Sequence, residues 1–461
     1  NLIRKNLGGF SKLKTLLANE VIPKYKERKP LVEVELNQIK KDHGNKVIAE
    51  VKLDQAISGM REIPAIYYEG SQLDAQSGIT FRGHSIPEVE KYSQKAVGGH
   101  EPLPESMIYL LLTGEFPNKQ QFEDLQGELR SHGDITAEDI SFITSIPKDT
   151  HPMTMLSMAI LNVQRKSKFF EQYDKGMKKG DYWSYYYDDS MALLNKLPQL
   201  AAIIYRHRYK EGKLIESDSK LDWAGNYSHM LGYQSHEMKE CIRGYLTIHA
   251  DHEGGNVSAH TAHLVGSALA DPYLSYSAAV NGLAGPLHGL ANQECLKWLI
   301  DLKVQTLINT EIHAGKAPNK ETVVEFVNQT LKAGRVIPGY GHAVLRNTDP
   351  RFLHLQKFAK RHIKNDEIVE LVRVCYETIP EVLGKLGKVK NPFPNVDAHS
   401  GACLQHFGMV EYRYYTVVFA VSRAIGCLTN GVWSRAFGLP IERPNSIDMK
   451  WIRDNIIKEK K

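Results

Sequence analysis

The sequence predicts an all-α fold with a minor β-hairpin. Three observations carry that reading. Apolar runs of helical length recur, ended by glycine or opened by proline; only one pair of strand-like segments appears, near residue 70; and residues 261–290 are rich in alanine, glycine and leucine with one formal charge, Asp271.

The elements can be justified in chain order. Ile66-Tyr67-Tyr68-Glu69 and Ile79-Thr80-Phe81-Arg82 alternate β-formers and are separated by a turn-rich stretch through Ser77-Gly78, which reads as a hairpin. From Glu105 to Thr113, Met107, Ile108, Leu110, Leu111 and Leu112 lead to Gly114 in stop position, the pattern of a buried helix. A second helix is expected from His151-Pro152 through Met155, Leu156, Met158, Ala159 and Ile160, and a third after Pro198 through Leu200, Ala201, Ile203, Ile204 and Tyr205. The uncharged stretch from Thr261 to Leu290 predicts helices with no polar face, buried in a large core or against another subunit.

Composition narrows the function classes. A chain of 461 residues, 42% hydrophobic, can bury a large core and fill two or more domains. Cys241, Cys295, Cys375, Cys403 and Cys427 are scattered, odd in number and never paired as C-x-x-C, so neither a disulfide framework nor a zinc knuckle is indicated and a reducing compartment is expected. The apolar run Tyr414 to Leu428 is interrupted by Arg423, which argues against a membrane span and for a soluble protein. The net charge of +5 is local: residues 1–30 carry +6 and the remainder is near −1, so no broad nucleic-acid face is expected. The first nineteen residues have four basic groups, no acidic one and spaced leucines, which fits either the remnant of an organellar import sequence or an ordinary surface helix.

The densest chemistry lies in Val336-Ile337-Pro338-Gly339-Tyr340-Gly341-His342, followed by Leu345-Arg346-Asn347-Thr348-Asp349-Pro350-Arg351. Pro338 stiffens the loop, while Gly339 and Gly341 let backbone approach a ligand closely. His342 ends the loop, and Arg346 and Arg351 supply donor forks that suit phosphate or carboxylate. An anion site follows. Arg423, inside Phe419-Ala420-Val421-Ser422-Arg423-Ala424-Ile425, would be costly to bury unpaired, so it points either to an anionic ligand or to a buried salt bridge.

Together with Gly282-Leu283-Ala284-Gly285-Pro286-Leu287-His288-Gly289 and Asn391-Pro392-Phe393-Pro394-Asn395-Val396-Asp397-Ala398-His399-Ser400-Gly401, this loop resembles the citrate synthase family, in its eukaryotic mitochondrial form, from about Leu16 to Ser446. The resemblance implies a two-domain helical homodimer: a large domain from residues 1–288 that returns over 402–461, and a small domain over 289–401, with the active site in the cleft between them. Around Leu302 to Glu321 the chain is several residues longer than the family pattern, and Glu311 to Pro318 reads as a surface loop.

The reaction implied joins acetyl-CoA to oxaloacetate and hydrolyses citryl-CoA to citrate and CoA, the first step of the tricarboxylic acid cycle. A thioester methyl is so weak an acid that its base must work beside a donor to the developing enolate. By resemblance Asp397 is that base, His288 donates to the thioester oxygen and His342 donates to the attacked carbonyl. Residue by residue, Asp397 also fits a helix N-cap, and either histidine fits a packing role. His252, Arg351 and Arg423 are the implied oxaloacetate ligands, joined by Arg443 from a partner subunit; Arg435 and Arg346 are competitors for such roles. Pro338, Gly339, Tyr340 and Gly341 are implied at the adenine, and Arg346, Lys388 and Lys390 at the phosphates of CoA, although Lys-x-Lys before Asn-Pro also fits a solvated turn.

No cofactor and no metal are expected. His249/His252 and His260/His263 have helical i,i+3 spacing that could serve ligation, but the glycines at 254 and 255 break a simple cage. Oxaloacetate is expected to bind first and favour closure. The nearest rival is 2-methylcitrate synthase acting on propionyl-CoA, since one methylene is worth only about 1–3 kcal/mol. A helical metal-binding or scaffold protein is the rival from another class. The C-terminal Lys-Glu-Lys-Lys is no peroxisomal address, and the mitochondrial matrix is the expected location.

Overall fold

A computed structural model describes residues 21–311, 319–342, 344–387 and 389–458. The import-like segment 1–19, most of the 311–318 loop, and Lys388 lie outside the described residues.

Among the described residues the fold is mainly helical, with one small antiparallel sheet of three strands, β1 (Ser71–Asp74), β2 (Gly78–Phe81) and β3 (His84–Ser85). The first strand therefore begins after Ile66–Glu69, where the sequence pattern put it. The turn sets the register: Asp74 Oδ1 accepts from the backbone of Gln76 and Ser77, which closes a tight connection and pairs Asp74 with Gly78. Tyr67 and Tyr68 serve tertiary packing instead, Tyr67 edge-on to Phe437 and Tyr68 Oη donating to Asp251 at 2.7 Å.

The Glu105–Thr113 helix ends at Gly114 in the left-handed conformation, as its pattern predicts, and the Pro152–Val163 helix is capped by His151. The third helix differs from expectation: it begins at Tyr182 and runs through Pro198 to Tyr209. Proline removes the hydrogen bond that Leu194 O would otherwise accept. Trp223 Nε1 supplies the replacement at 3.0 Å, so the helix continues without a buried unsatisfied carbonyl.

At the centre lies the Tyr415–Ala436 helix, buried over nearly its whole length. It packs on the Tyr182–Tyr209, Glu105–Thr113, His236–Ile248, Val257–Ser267 and Pro272–Leu283 helices. By length and composition it could cross a membrane, but here it is the core rod of the fold. A second group, Ala291–Glu311, Lys320–Lys332, Pro350–His362, Glu367–Leu386 and Asp397–His406, packs mainly within itself. The Asp397–His406 helix runs unbroken through residue 401 and ends in a turn at Phe407 to Met409.

Candidate active site

The 336–351 loop is held from two sides. Tyr340 bridges to Pro394, Gly341 N donates to Phe393 O, and Asn395 N donates to Gly339 O at 2.9 Å, which fixes the loop against the start of the Asp397–His406 helix. On the other side Arg346 N donates to Ala75 O at 2.8 Å and Asn347 Nδ2 to Gln76 O at 2.9 Å, so the hairpin turn braces the loop. Gly339 has φ +77°, and a Cβ there would lie 2.9 Å from both Ala398 Cα and Cys295 Sγ. Glycine is required by both conformation and space.

This scaffold brings His342 edge-on to His252, ring centroids 5.8 Å apart. His342 Nδ1 accepts from the backbone N–H of Val344 and Leu345, at 3.0 and 3.1 Å. Backbone amides only donate, so the ring proton is assigned to Nε2. Burial and then Arg351 depress the imidazole to about 4, which keeps it neutral.

His288 has the opposite tautomer. Its Nε2 accepts from Ser258 N at 3.3 Å, with Ser258 Oγ at 3.0 Å, which assigns the proton to Nδ1. Burial and then Arg423 depress it to about 3. Two neutral imidazoles, each locked by a backbone donor, thus present one N–H apiece.

Asp397 is the first residue of its helix. The N-cap position belongs to Val396, and the Asp397 carboxylate makes no capping bond, so the capping alternative does not hold. Burial lifts it to about 6, against the pull of Arg351 and Arg423. A carboxylate so placed, with its basicity raised and its charge retained at neutral pH, is suited to accept a proton.

The arginines are buried. Arg351 grips Asp349 with Nη2 to Oδ2 at 2.7 Å and Nε to Oδ1 at 3.1 Å, and Asp349 in turn caps the Pro350–His362 helix. Arg423 donates Nε to His249 O and Nη1 to Asn256 Oδ1 and Ser258 Oγ, at 3.2 to 3.3 Å, and lies over the Phe419 ring. No carboxylate pairs with it within salt-bridge distance among the described residues. Asp251, itself held by Tyr68 and Ser71, acts on it only through its charge. The buried salt-bridge reading therefore fails, and an anion is the partner that burial calls for.

His252 feels Arg351, Arg423, His342 and His288 together, and burial followed by these charges drives its basicity far below the ordinary value. Its Nε2 is buried with no hydrogen-bond partner among the described residues. The other histidines of that block disperse. His249 Nδ1 faces Tyr245 O, and His260 and His263 approach Glu442.

Not every sequence candidate joins this cluster. Arg443 is exposed, beyond Glu442, whose own N–H donates to Ser267 Oγ. Arg435 is buried beside Tyr186, and Arg346 Nη1 turns back to Val344 O and Leu345 O. Lys390 is exposed. Sequence reasoning missed Asp349, His249, Asn256 and Ser258 as working parts. Asp349 stood next to Pro350, a cap signal, while Ser258 carried no signal apart from an Asn-Val-Ser pattern.

A buried carboxylate of raised basicity under the charge of two buried arginines, in a loop system that also holds two neutral imidazoles beside those arginines, has the parts an enzyme needs for proton transfer next to an anionic ligand. The family model for the citrate synthase C-terminal domain matches residues 59–445. Similar proteins include the mitochondrial citrate synthase of Tetrahymena thermophila, 51% identical over 98% of this chain and 97% of that one, and that of Saccharomyces cerevisiae, 48% identical over 93% and 88%. The fold is shared with citrate synthases from Pyrobaculum aerophilum (TM-score 0.71, 24% identity, covering 88% of this chain and 95% of that one) and Thermoplasma acidophilum (0.70, 19%, 87% and 97%), the latter solved as a ternary complex with carboxymethyl coenzyme A and oxaloacetate. The chain belongs to the citrate synthase family. Its activity is that of an acyltransferase forming citrate, and the Tetrahymena and Saccharomyces relatives are named as mitochondrial enzymes.

Proposed function

We propose that Asp397 removes a methyl proton from acetyl-CoA while His288 Nδ1–H donates to the thioester oxygen. The enol carbon then attacks the ketone of oxaloacetate, forming the C–C bond, and His342 Nε2–H donates to the oxygen that becomes the citrate hydroxyl. Water next cleaves the citryl thioester, releasing citrate and CoA. The observation that carries this reading is the pair of opposite tautomers, each fixed by backbone N–H donors. Neutral imidazole is the better-matched donor here, since its acidity lies nearer that of an enol than an imidazolium's would.

In this scheme Arg351, Arg423 and His252 hold oxaloacetate, and Arg443 of the partner subunit completes the site. A homodimer is supported by Met158, Leu161, Val257, Leu264 and Leu274, exposed apolar residues on three helices that pack side by side. Pro338, Gly339, Tyr340 and Gly341 meet the adenine of CoA, and Arg346, Lys388 and Lys390 its phosphates. Residues 289–401 close on the remainder once oxaloacetate has neutralised the arginines. The thioester is a substrate and no cofactor enters the scheme. The mitochondrial matrix is the location that fits these relatives.

Oxaloacetate-dependent CoA release tests the reading, comparing acetyl-CoA with propionyl-CoA and wild type with Asp397→Asn. Preference for acetyl-CoA and loss of turnover in the variant support it. Full turnover by Asp397→Asn would remove the proposed base.

A further inference from the structure

The helix that carries Arg351 also carries His354, one turn further on and almost completely buried. Its ring sits between two carboxylates from elsewhere in the chain: Nδ1 is 2.7 Å from Glu90 Oε1, and Nε2 is 2.9 Å from Glu101 Oε2. Lys357 and Arg361, on the same face, reach the outer oxygens of the same two carboxylates, at 3.2 Å to Glu90 and 3.0 Å to Glu101. Three cations of one helix thus engage two anions from the segment between residues 86 and 101.

The surroundings are shaped to admit this pair. The adjoining His236–Ile248 helix has Gly244 at the contact, where a Cβ would lie 2.8 Å from Glu101 Oε2 and 3.0 Å from His354 Nε2. From the same helix, Glu240 Oε2 accepts from the backbone N–H of His100 and Glu101, and Arg243 holds Glu240. Glu101 is therefore anchored from behind. The Pro350–His362 helix packs on the Ile86–Tyr92 and His236–Ile248 helices through this side, and on the Asp397–His406 helix through another.

We propose that His354, clamped between Glu90 and Glu101, is the positioning residue that fixes the Arg351 helix, and with it Arg351, against the first helical group. A helix is stiff, so a displacement at His354 is transmitted to Arg351 one turn away; misplacing a substrate-binding group by about 1 Å can cost up to about 10²-fold. Burial opposes protonation of the ring, but the Glu101 carboxylate 2.9 Å from Nε2 and the Glu90 carboxylate hydrogen-bonded to Nδ1 outweigh it and raise the imidazole from 6.5 to about 9. The clamp is thus complete below pH 6.5 and is lost as pH climbs through about 9. Besides the two carboxylates, the charged and titratable groups on this side are Lys357, Arg361 and His362 of its own helix, His100 of the neighbouring segment, and Glu240 and Arg243.

The inference rests on Arg351 being an oxaloacetate ligand, so the experiment separates the two. The KM for oxaloacetate and kcat are measured between about pH 6.5 and 9.5 for the full-length enzyme and for His354→Gln, His354→Lys, Glu90→Gln and Arg351→Gln. Wild type should show a KM that rises on the alkaline side. His354→Gln should raise KM about tenfold at neutral pH with kcat nearly unchanged, and should flatten that rise. His354→Lys, a permanent cation in this range, should recover much of the neutral-pH KM. If His354→Gln fails to fold, Glu90→Gln carries the same prediction at about two- to threefold, because it removes one jaw of the clamp. A folded His354→Gln or Glu90→Gln enzyme with wild-type KM and pH profile would overturn the proposal. An unchanged KM in Arg351→Gln would instead overturn the substrate assignment on which it stands.

Discussion

Arg351 and Asp349, two residues apart, meet side-on: Nε and Nη2 of the guanidinium are taken by one carboxylate, which leaves the Nη1/Nη2 end as the face without a protein partner among the described residues. Asp349 therefore orients the arginine rather than blocking it. Asp349→Asn keeps a capping side chain for the Pro350–His362 helix but gives up the charge-assisted fork. We expect kcat/KM for oxaloacetate to fall on the order of 10-fold with little loss of stability, measured by steady-state kinetics alongside thermal melting.

The Asp397 carboxylate, raised to about 6, predicts an acid limb in kcat/KM near that pH, since the proton must be absent for the group to act as base. The same shift has a stability consequence of definite sign. A folded-state value above the ordinary 3.8 means that the folded protein binds the proton more tightly, so the ionised carboxylate costs stability above pH 6 and the cost disappears as pH falls towards 3.8. Asp397→Asn should thus be nearly inactive yet more stable at pH 7, by on the order of 1–3 kcal/mol. A variant that melts lower than wild type would contradict this.

His288 and His342 should stay neutral in the free enzyme at pH values well below the ordinary imidazole range, with the proton on Nδ1 of the first and Nε2 of the second. Nitrogen-15 NMR of labelled histidine distinguishes the tautomers directly. Imidazolium shifts for either ring at about pH 6 would be incompatible with the burial and arginine charge that depress them.

Gly339→Ala forces a side chain into the left-handed region and against Ala398 and Cys295. The expected cost is on the order of 1–3 kcal/mol, and because the loop is bonded to Asn395, the damage should reach Asp397 two residues on. Activity should therefore fall further than stability does, read as kcat at a temperature where circular dichroism shows the variant folded.

If Arg443 acts across a dimer, Arg443→Ala and Asp397→Asn should each be inactive alone, while mixed dimers regain one working site. Co-expression with two affinity tags isolates the mixed species. Absence of recovered turnover in a verified heterodimer would place Arg443 outside the partner's site.

Much of the candidate site was legible because its parts lie in short, chemically dense segments: the 336–351 loop holds His342 and Arg351, and an arginine in an otherwise apolar run drew attention to Arg423. What stayed hidden was the set of partners. Ser258 sets the His288 tautomer, and Asn256 and the His249 carbonyl hold Arg423, yet these are ordinary polar groups whose work depends on contacts some 30 to 174 positions away in sequence. Helices were read well where a glycine ended them locally, as at Gly114. The hairpin slipped because its register is set by Asp74 in the turn, not by the tyrosines that look most strand-like.

Pro198 has a use beyond being tolerated. By leaving Leu194 O without its helical donor, it creates one acceptor along a 28-residue helix that differs from all its neighbours, and the Trp223 indole is the group that finds it. A uniform helix offers no such landmark along which a packing partner can be indexed. The absent N–H thus acts as a notch, fixing where the next helix begins against the longest rod in the fold and discouraging a slide by one turn in either direction.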